Sequence, residues 1–479
     1  MSDFDLLVHT PGLSLGVIDG LVAATGPSLA GPAKQVVEVP DGRIVPGWID
    51  AHVHFNEPGR TEWEGLETGS LALAAAGGTT FFDMPLNSTP PVVDAASLEK
   101  KRLIATEKSH LDFALWAGLT PDSLAHLEAM AEGGAIGFKA FMCHSGLDEY
   151  PWADAATMKA GMKIAAGLNL PVSVHAEICR DLPRVGHDMA AWLASRPQSF
   201  ELVAIRLALD LAGETGCALH IVHVTCPEGI DLVTRAKKQG VDVTVETCPH
   251  YLLLDEENAI AIGAPAKCAP PLRPAETVAR MWEKLRAGAI DTLGSDHSPS
   301  SPELKTGDDF FTIWGGIAGI QHGHPLLLDR ELNLTGPASA NVAKRFKLRG
   351  KGSLSVGNHA DFSIFIPDDR AIERGEFLTR HPISPYLGMR LRHRVKATFL
   401  RGAKVDMATK GRFLRPDFFY TKSGEHPDRC LQPSRPHRAR RSYALRISRL
   451  GTSDGLCRVV AGDGCVPLPN PHHFSRGRR

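Results

Sequence analysis

The sequence lacks the features that would take it out of the soluble globular class. No apolar run approaches the roughly 18–20 residues that span a bilayer. The opening Met-Ser-Asp-Phe-Asp is acidic and lacks the basic-then-apolar order of a secretory leader, so none is expected. The nine cysteines are odd in number and irregularly spaced, without a Cys-x-x-Cys pair, which argues against a disulfide framework. With 43% hydrophobic and 22% charged residues, the chain is neither disordered nor collagen-like nor of low complexity. A cytoplasmic enzyme is the expectation. At 479 residues it exceeds one core and should hold a large domain with an appendage, or two to three domains.

A strong net charge is also lacking, since the formal total is −1, but this total hides an asymmetry. Residues 417–479 hold eleven Arg and Lys422 against five acidic residues, a net of +7, so the preceding 416 residues carry −8. A mildly acidic body argues against nucleic acid as its partner. The tail has six Pro, six Ser, three Cys and little apolar periodicity. Three readings stand for it: a disordered extension, a non-native reading-frame artefact, or a basic binding arm.

Between Pro46 and Pro299 short β-branched or aromatic runs alternate with helix-length stretches. The runs cover 44–55, 79–84, 111–119, 135–142, 170–177, 218–224, 242–246 and 290–295. Helices are expected over 200–216, 227–240 and 276–288, each closed by Gly as a C-cap would be. Eight strands alternating with helices over about 250 residues predict an α/β fold, a (β/α)8 TIM-type barrel. Segments 1–46 and 350–416 alternate short apolar runs with Gly and Pro. Each is too short for a sheet domain alone, so together they predict a small β-sandwich built from both chain ends. The expected division is 1–46 and 350–416 for the sandwich, 47–349 for the barrel, and 417–479 for the tail.

The chemistry begins with His52-Val53-His54. Residues i and i+2 of a strand share a face, so two imidazoles project together. Near the C-terminal ends of later runs stand Lys139, His175, His223 and Asp296, and in a barrel the active site collects at that end. Neutral imidazoles and carboxylates suit zinc and related divalent ions. Four histidines and a carboxylate exceed one catalytic zinc and suit two metals sharing a bridging hydroxide. An ammonium between two cations would be repelled. A Lys139 carbamate, N6-carboxylysine formed by uptake of CO2, carries −1 and two oxygens and could bridge both ions. His220 and His297, which flank these positions, read as supporting or packing residues. Cys248-Pro249-His250 reads as a shaped loop with His250 as a possible outer donor.

Several stretches carry a resemblance. They are 46–65 (Pro-Gly-Trp-Ile-Asp-Ala-His-Val-His-Phe-Asn-Glu-Pro-Gly-Arg-Thr-Glu-Trp-Glu-Gly), 82–88 (Phe-Asp-Met-Pro-Leu-Asn-Ser), 137–141 (Gly-Phe-Lys-Ala-Phe), 246–251 (Glu-Thr-Cys-Pro-His-Tyr), 295–299 (Ser-Asp-His-Ser-Pro) and 314–319 (Trp-Gly-Gly-Ile-Ala-Gly). Over roughly residues 40–416 the chain resembles the amidohydrolase superfamily, in the cyclic amidohydrolase branch that holds dihydroorotases, hydantoinases and allantoinases. It most resembles the allantoinases. The tail has no counterpart in that family.

The resemblance implies a binuclear centre held by His52, His54, carbamylated Lys139, His175, His223 and Asp296. It also implies hydrolytic opening of allantoin to allantoate, a step of purine catabolism, with Asp296 as the catalytic proton shuttle. Dihydroorotases commonly place an Arg where this chain has Asn56, and an amide cannot give a carboxylate the bidentate pairing of a guanidinium, so a neutral ureide fits better. Asn56, Asn87, His144, Ser298 and backbone at Gly315 are the expected substrate contacts. The metals are expected to be zinc, with Co, Mn, Ni or Fe as competent alternatives. A homodimer or homotetramer is implied. A hydantoinase or dihydropyrimidinase is the rival reading, and a non-catalytic scaffold relative the remoter one.

Overall fold

Four strands open the chain: β1 (Phe4–Thr10), β2 (Leu13–Ile18), β3 (Leu21–Gly26) and β4 (Ala33–Glu38). They make one sheet in the order β3-β2-β1-β4, with β1 antiparallel to β2 and parallel to β4. The computed structural model describes residues 3–178, 185–331 and 333–417. The chain divides into two units, Met1–Pro427 and Asp428–Arg479, and the described residues all belong to the first. Beyond Asp417 the expected basic tail lies outside the described residues.

The run expected as a single strand over 44–55 is two strands in two different sheets, β5 (Arg43–Pro46) and β6 (Trp48–Val53). Gly47 makes the break. Its N–H donates to Asp361 O at 2.9 Å, and a Cβ there would lie 2.2 Å from Thr79 Oγ1. The chain changes sheets where only glycine fits, and hydrophobic pattern alone does not register such a crossing.

From β6 the parallel ladder continues through β7 (Gly78–Asp83), β8 (Asp112–Leu115), β9 (Ala117–Gly118), β10 (Phe138–Phe141), β11 (Val172–His175), β12 (Leu219–Ile221), β13 (Val243–Thr247) and β14 (Thr292–Leu293). β8 and β9 are one strand interrupted at Trp116, whose N–H donates to Asp83 O at 3.0 Å. The ring of eight is joined end to end by a parallel bridge between Val53 and His297, with His54 N–H donating to His297 O at 2.8 Å. This is the TIM-type α/β barrel. Its strands are short and almost wholly buried, as expected where helices cover a parallel sheet. Ile49, Phe82, Trp116 and Ile136 form one buried cluster with Phe346, whose ring packs edge-on against Phe82 and Trp116 at 5.0 and 5.3 Å. The three glycines read as helix ends, Gly216, Gly240 and Gly288, all have positive φ, of 68°, 91° and 69°.

The chain then adds β15 (Phe362–Ala371), β16 (Arg390–Leu400) and β17 (Ala403–Lys404), in a sheet ordered β17-β16-β15-β5. Leu6, Val8, Leu15 and Val17 of the first sheet share a buried core with Phe362, Ile364 and Phe399 of this one. Phe362 and Phe399 stack with centroids 4.5 Å apart. Two sheets from opposite ends of the described chain thus bury each other's apolar faces, which neither could do alone.

Candidate metal centre

The ends of the strands set the site. His52 stands on β6 and His54 one residue past it, and the register between β6 and β7 shifts between Asp50 and Val53. Such a bulge re-aims side chains at a barrel rim. The two rings end with centroids 5.5 Å apart, both buried. Lys139 lies on β10, two residues before Phe141, so both face the same way, and Lys139 Nζ sits 5.2 Å from the Phe141 ring centroid. His175 closes β11 and stacks on Phe141 at 4.6 Å. His223 and Asp296 follow the ends of β12 and β14 with φ of 43° and 44°. Positive φ is uncommon outside glycine, though Asp and His adopt it more readily than most, and such conformations collect at functional sites.

All six expected ligands line one cavity of about 310 Å³, at the small end of ligand pockets. Asp296 Oδ1 lies 3.2 Å from His52 Nε2 and 3.4 Å from His54 Nε2. One ligand atom from each of these three residues falls within 4.8 Å of the others. His175 Nδ1 and His223 Nε2 are 2.9 Å apart, and the His223 ring lies 5.4 Å from that of His52. Lys139 Nζ is buried without a hydrogen-bond partner among the described residues. Burial lowers His52 and His223 well below the usual imidazole range, and it lowers His175 despite Glu177 beside it. These rings are neutral at pH 7, as ligands must be. Burial likewise drives the Lys139 amine down, against the pull of Asp296 and Glu246. Two imidazole pairs, a carboxylate and an unpartnered buried amine meeting in one cavity fit two divalent cations.

Carboxylates behind the ligands fix them. His52 Nδ1–H donates to Glu246 Oε1 at 2.8 Å, which leaves Nε2 facing the cavity. His175 Nε2–H donates to Glu177 Oε2 at 3.2 Å, and Glu177 is gripped in turn by Arg196, with Nε 2.9 Å from Oε1. A ligating histidine typically has such a partner on its other nitrogen. The roles of Glu246, Glu177 and Arg196 were missed in the sequence. Glu246 closes the 242–246 run and Glu177 stands two residues after His175, so alternation placed them at the right rim, but nothing local said which imidazole each would meet. Gly294 is required here, since a Cβ on it would lie 2.6 Å from Glu246 Oε2.

The remaining expected residues divide. Asn87, His144, Ser298 and Gly315 line the cavity. Asn87 Nδ2 lies 3.4 Å from Ser298 Oγ, and His144, largely exposed, accepts Gly146 N–H at its Nδ1. Asn56 does not join them. It is buried, outside the cavity lining, with φ 62° and its amide donating to Pro299 O at 3.3 Å. It shapes the turn after His54, and the structure does not bring it to the cavity wall with the other four. His297 and His220 are buried away from the cavity, against Glu64 at 3.4 Å and Thr244 Oγ1 at 2.8 Å. His250 is also buried outside the lining.

The amidohydrolase family matches residues 43–405, most of the chain. This chain belongs to the amidohydrolase family. An allantoinase of Rubrobacter xylanophilus is 46% identical over 447 residues, covering 87% of this chain and 98% of that protein. Another, of Solibacter usitatus, is 45% identical, covering 86% and 95%. Among solved structures, the L-hydantoinase (dihydropyrimidinase) of Arthrobacter aurescens superposes with a TM-score of 0.81 at 30% identity, covering 86% of this chain and all of that one. Family and ligand set together make this amidohydrolase a divalent-metal hydrolase of cyclic amides with a small-molecule substrate. No helix among the described residues is long and apolar enough to cross a membrane.

Proposed function

We propose that this amidohydrolase is an allantoinase, which opens the hydantoin ring of allantoin by hydrolysis to give allantoate. The observation that carries this reading is that relatives named allantoinase match nearly their whole length at up to 46% identity, while the L-hydantoinase match stands at 30%. The cavity agrees. Its Arg196 guanidinium is already engaged by Glu177, and its Lys267 ammonium by Ile313 O, so neither is set aside for a substrate carboxylate. A neutral ring flanked by amide and hydroxyl groups fits such a wall.

His52, His54, His175, His223, Asp296 and a Lys139 carbamate would hold two divalent ions. Zinc is the reading, and Co, Mn, Ni or Fe are competent by the same donors. When bound, such ions polarise a carbonyl and ease deprotonation of water. The chain's own groups do the rest. The Lys139 amine, brought down to about 8 by burial, attacks CO2 through its neutral fraction: an N–C bond forms, one C=O electron pair moves to oxygen, and the amine proton leaves to solvent. Glu246 and Glu177 hold His52 and His175 in the tautomers that face the cavity. Asp296, gathered against His52 and His54, takes the proton of the attacking water on a carboxylate oxygen. It then returns that proton to the ring nitrogen as the C–N bond breaks, acting as base and then acid. Asn87, His144, Ser298 and the backbone at Gly315 orient the ring. The same reading carries a cytoplasmic homodimer or homotetramer.

A rate comparison of allantoin with dihydrouracil, 5-substituted hydantoins and dihydroorotate tests the proposal, with metal analysis on the same protein. The highest kcat/KM is expected for allantoin. A higher value for a simple hydantoin would establish the hydantoinase reading. A protein without a stoichiometric metal pair would be the scaffold.

A further inference from the structure

One wall of the cavity, which includes Phe311, Ile313, Trp314, Gly315 and Gly316, contains no helix or strand from Thr306 to Gly316. A segment of this kind must find partners for its carbonyls outside regular structure. Two lysines supply them. Lys267 Nζ donates to Ile313 O. Lys305 Nζ donates to Gly316 O at 2.6 Å and Trp314 O at 3.0 Å, and reaches Ala264 O at 3.4 Å. The backbone answers in the other direction: Gly316 N–H donates to Lys267 O at 2.7 Å, and Trp314 N–H to Leu304 O at 2.9 Å. Lys267 is 3% exposed and its Nζ sits 4.1 Å above the Trp192 ring, so this ammonium ties the loop to the helix Met189–Ala194 as well. Neither ammonium forms an ion pair among the described residues, so both spend their charge on carbonyls and a ring. Burial lowers both amines: Lys267 to about 8, with the Arg196 charge adding to the fall and Asp309 opposing it, and Lys305 to about 7, with the Lys267 charge adding to it.

Fixing two long, flexible lysine side chains on backbone carbonyls costs side-chain entropy and is not needed merely to fill space. We propose that Lys267 and Lys305 are positioning residues that clamp the carbonyls of Ile313, Trp314 and Gly316, so that the loop backbone at 314–316 meets the substrate ring in a preset shape. The inference rests on the proposed ring-opening activity for its kinetic arm only. Holding the loop before substrate arrives removes an ordering cost from binding, so the clamp acts chiefly on KM.

The test uses Lys305→Met, Lys305→Arg and Lys267→Met in full-length, metal-loaded protein. In both Met variants KM should rise by about tenfold or more with kcat within about threefold, the pattern of lost uniform binding, and Lys305→Arg should recover most of it. Hydrogen exchange gives a readout without substrate: the Trp314 and Gly316 amides should be protected in the unliganded wild type and exchange at least about tenfold faster in the Met variants. Wild-type KM and exchange in folded Met variants would overturn the proposal. So would a lower melting temperature with KM unchanged, which marks a merely structural role. If the Met variants do not fold, free exchange of these amides in the wild type refutes the clamp, and protection that Lys305→Arg keeps and Lys305→Gln weakens supports the clamp. If allantoin is not the substrate, KM is read on whichever cyclic amide the wild type opens, and the exchange arm stands unaltered.

Discussion

Glu246 offers the sharpest test of how the metal centre is built. It is fully buried, accepts His52 Nδ1–H at 2.8 Å, and lies 3.5 Å from His220 Nε2 through its other oxygen. Burial pushes its carboxyl up, against the pull of Lys139. Glu246→Gln keeps an acceptor for His52 but removes the carboxylate, and Glu246→Ala removes both. Loss of such an outer partner costs roughly 10–100-fold in metal affinity, which is about 1.4–2.8 kcal/mol. In the Ala variant a buried N–H also loses its acceptor, and folding should suffer by about 1–3 kcal/mol even without metal. The Gln variant should escape this second loss. Equilibrium dialysis against graded chelator buffers, followed by elemental analysis, gives the affinity. Urea unfolding of the metal-stripped proteins gives the stability. The expected order of affinity is wild type, then Gln, then Ala, with only Ala less stable when stripped. If both variants hold metal as tightly as the wild type, Glu246 does not orient His52 and the account of the site fails at that point.

Three further outcomes are expected. Asp296→Asn should abolish turnover in protein whose residual metal is verified by elemental analysis, and full activity there would exclude the proton-shuttle role. Metal reconstitution without bicarbonate should lower activity, and intact-protein mass under mild conditions should show CO2 on Lys139 only when bicarbonate is present; an unmodified lysine in fully active enzyme would refute the carbamate. Far from the site, Lys351 Nζ bridges Asp112 and Asp361 at 2.5 Å each, all buried, with Arg401 also on Asp112. Lys351→Met leaves buried carboxylates without their full counter-charge and should cost about 3–5 kcal/mol in urea unfolding. Burial raises the Asp112 carboxyl, but Lys351 and Arg401 outweigh this and hold it well below the usual range. Its stabilising contribution is therefore complete above the unfolded value of about 4 and is lost as pH falls toward the lower folded value. Acid unfolding of Lys351→Met should accordingly begin at higher pH than in wild type.

Much of this protein is local chemistry, and local chemistry is legible in a chain. Alternation put His52 and His54 on one face, and short apolar runs with Lys139, His175, His223 and Asp296 near their C-terminal ends announced strands delivering polar groups to one rim. Glycine at 216, 240 and 288 marked helix ends, because left-handed backbone favours it wherever the helix stops. Those features depend on residues within a few positions of one another. What the tertiary structure alone decided depends on contacts across the chain. The change of sheet at Gly47 is set by Thr79 and Asp361. The place of Asn56 outside the cavity lining is set by its bond to Pro299, 243 positions away. The pairing of His52 with Glu246 spans 194 positions, and it follows from the ring bringing β13 and β14 round to β6. A side chain's type and face are properties of its neighbours in sequence. Its partner is a property of register and closure, and these are fixed only when the eighth strand meets the first.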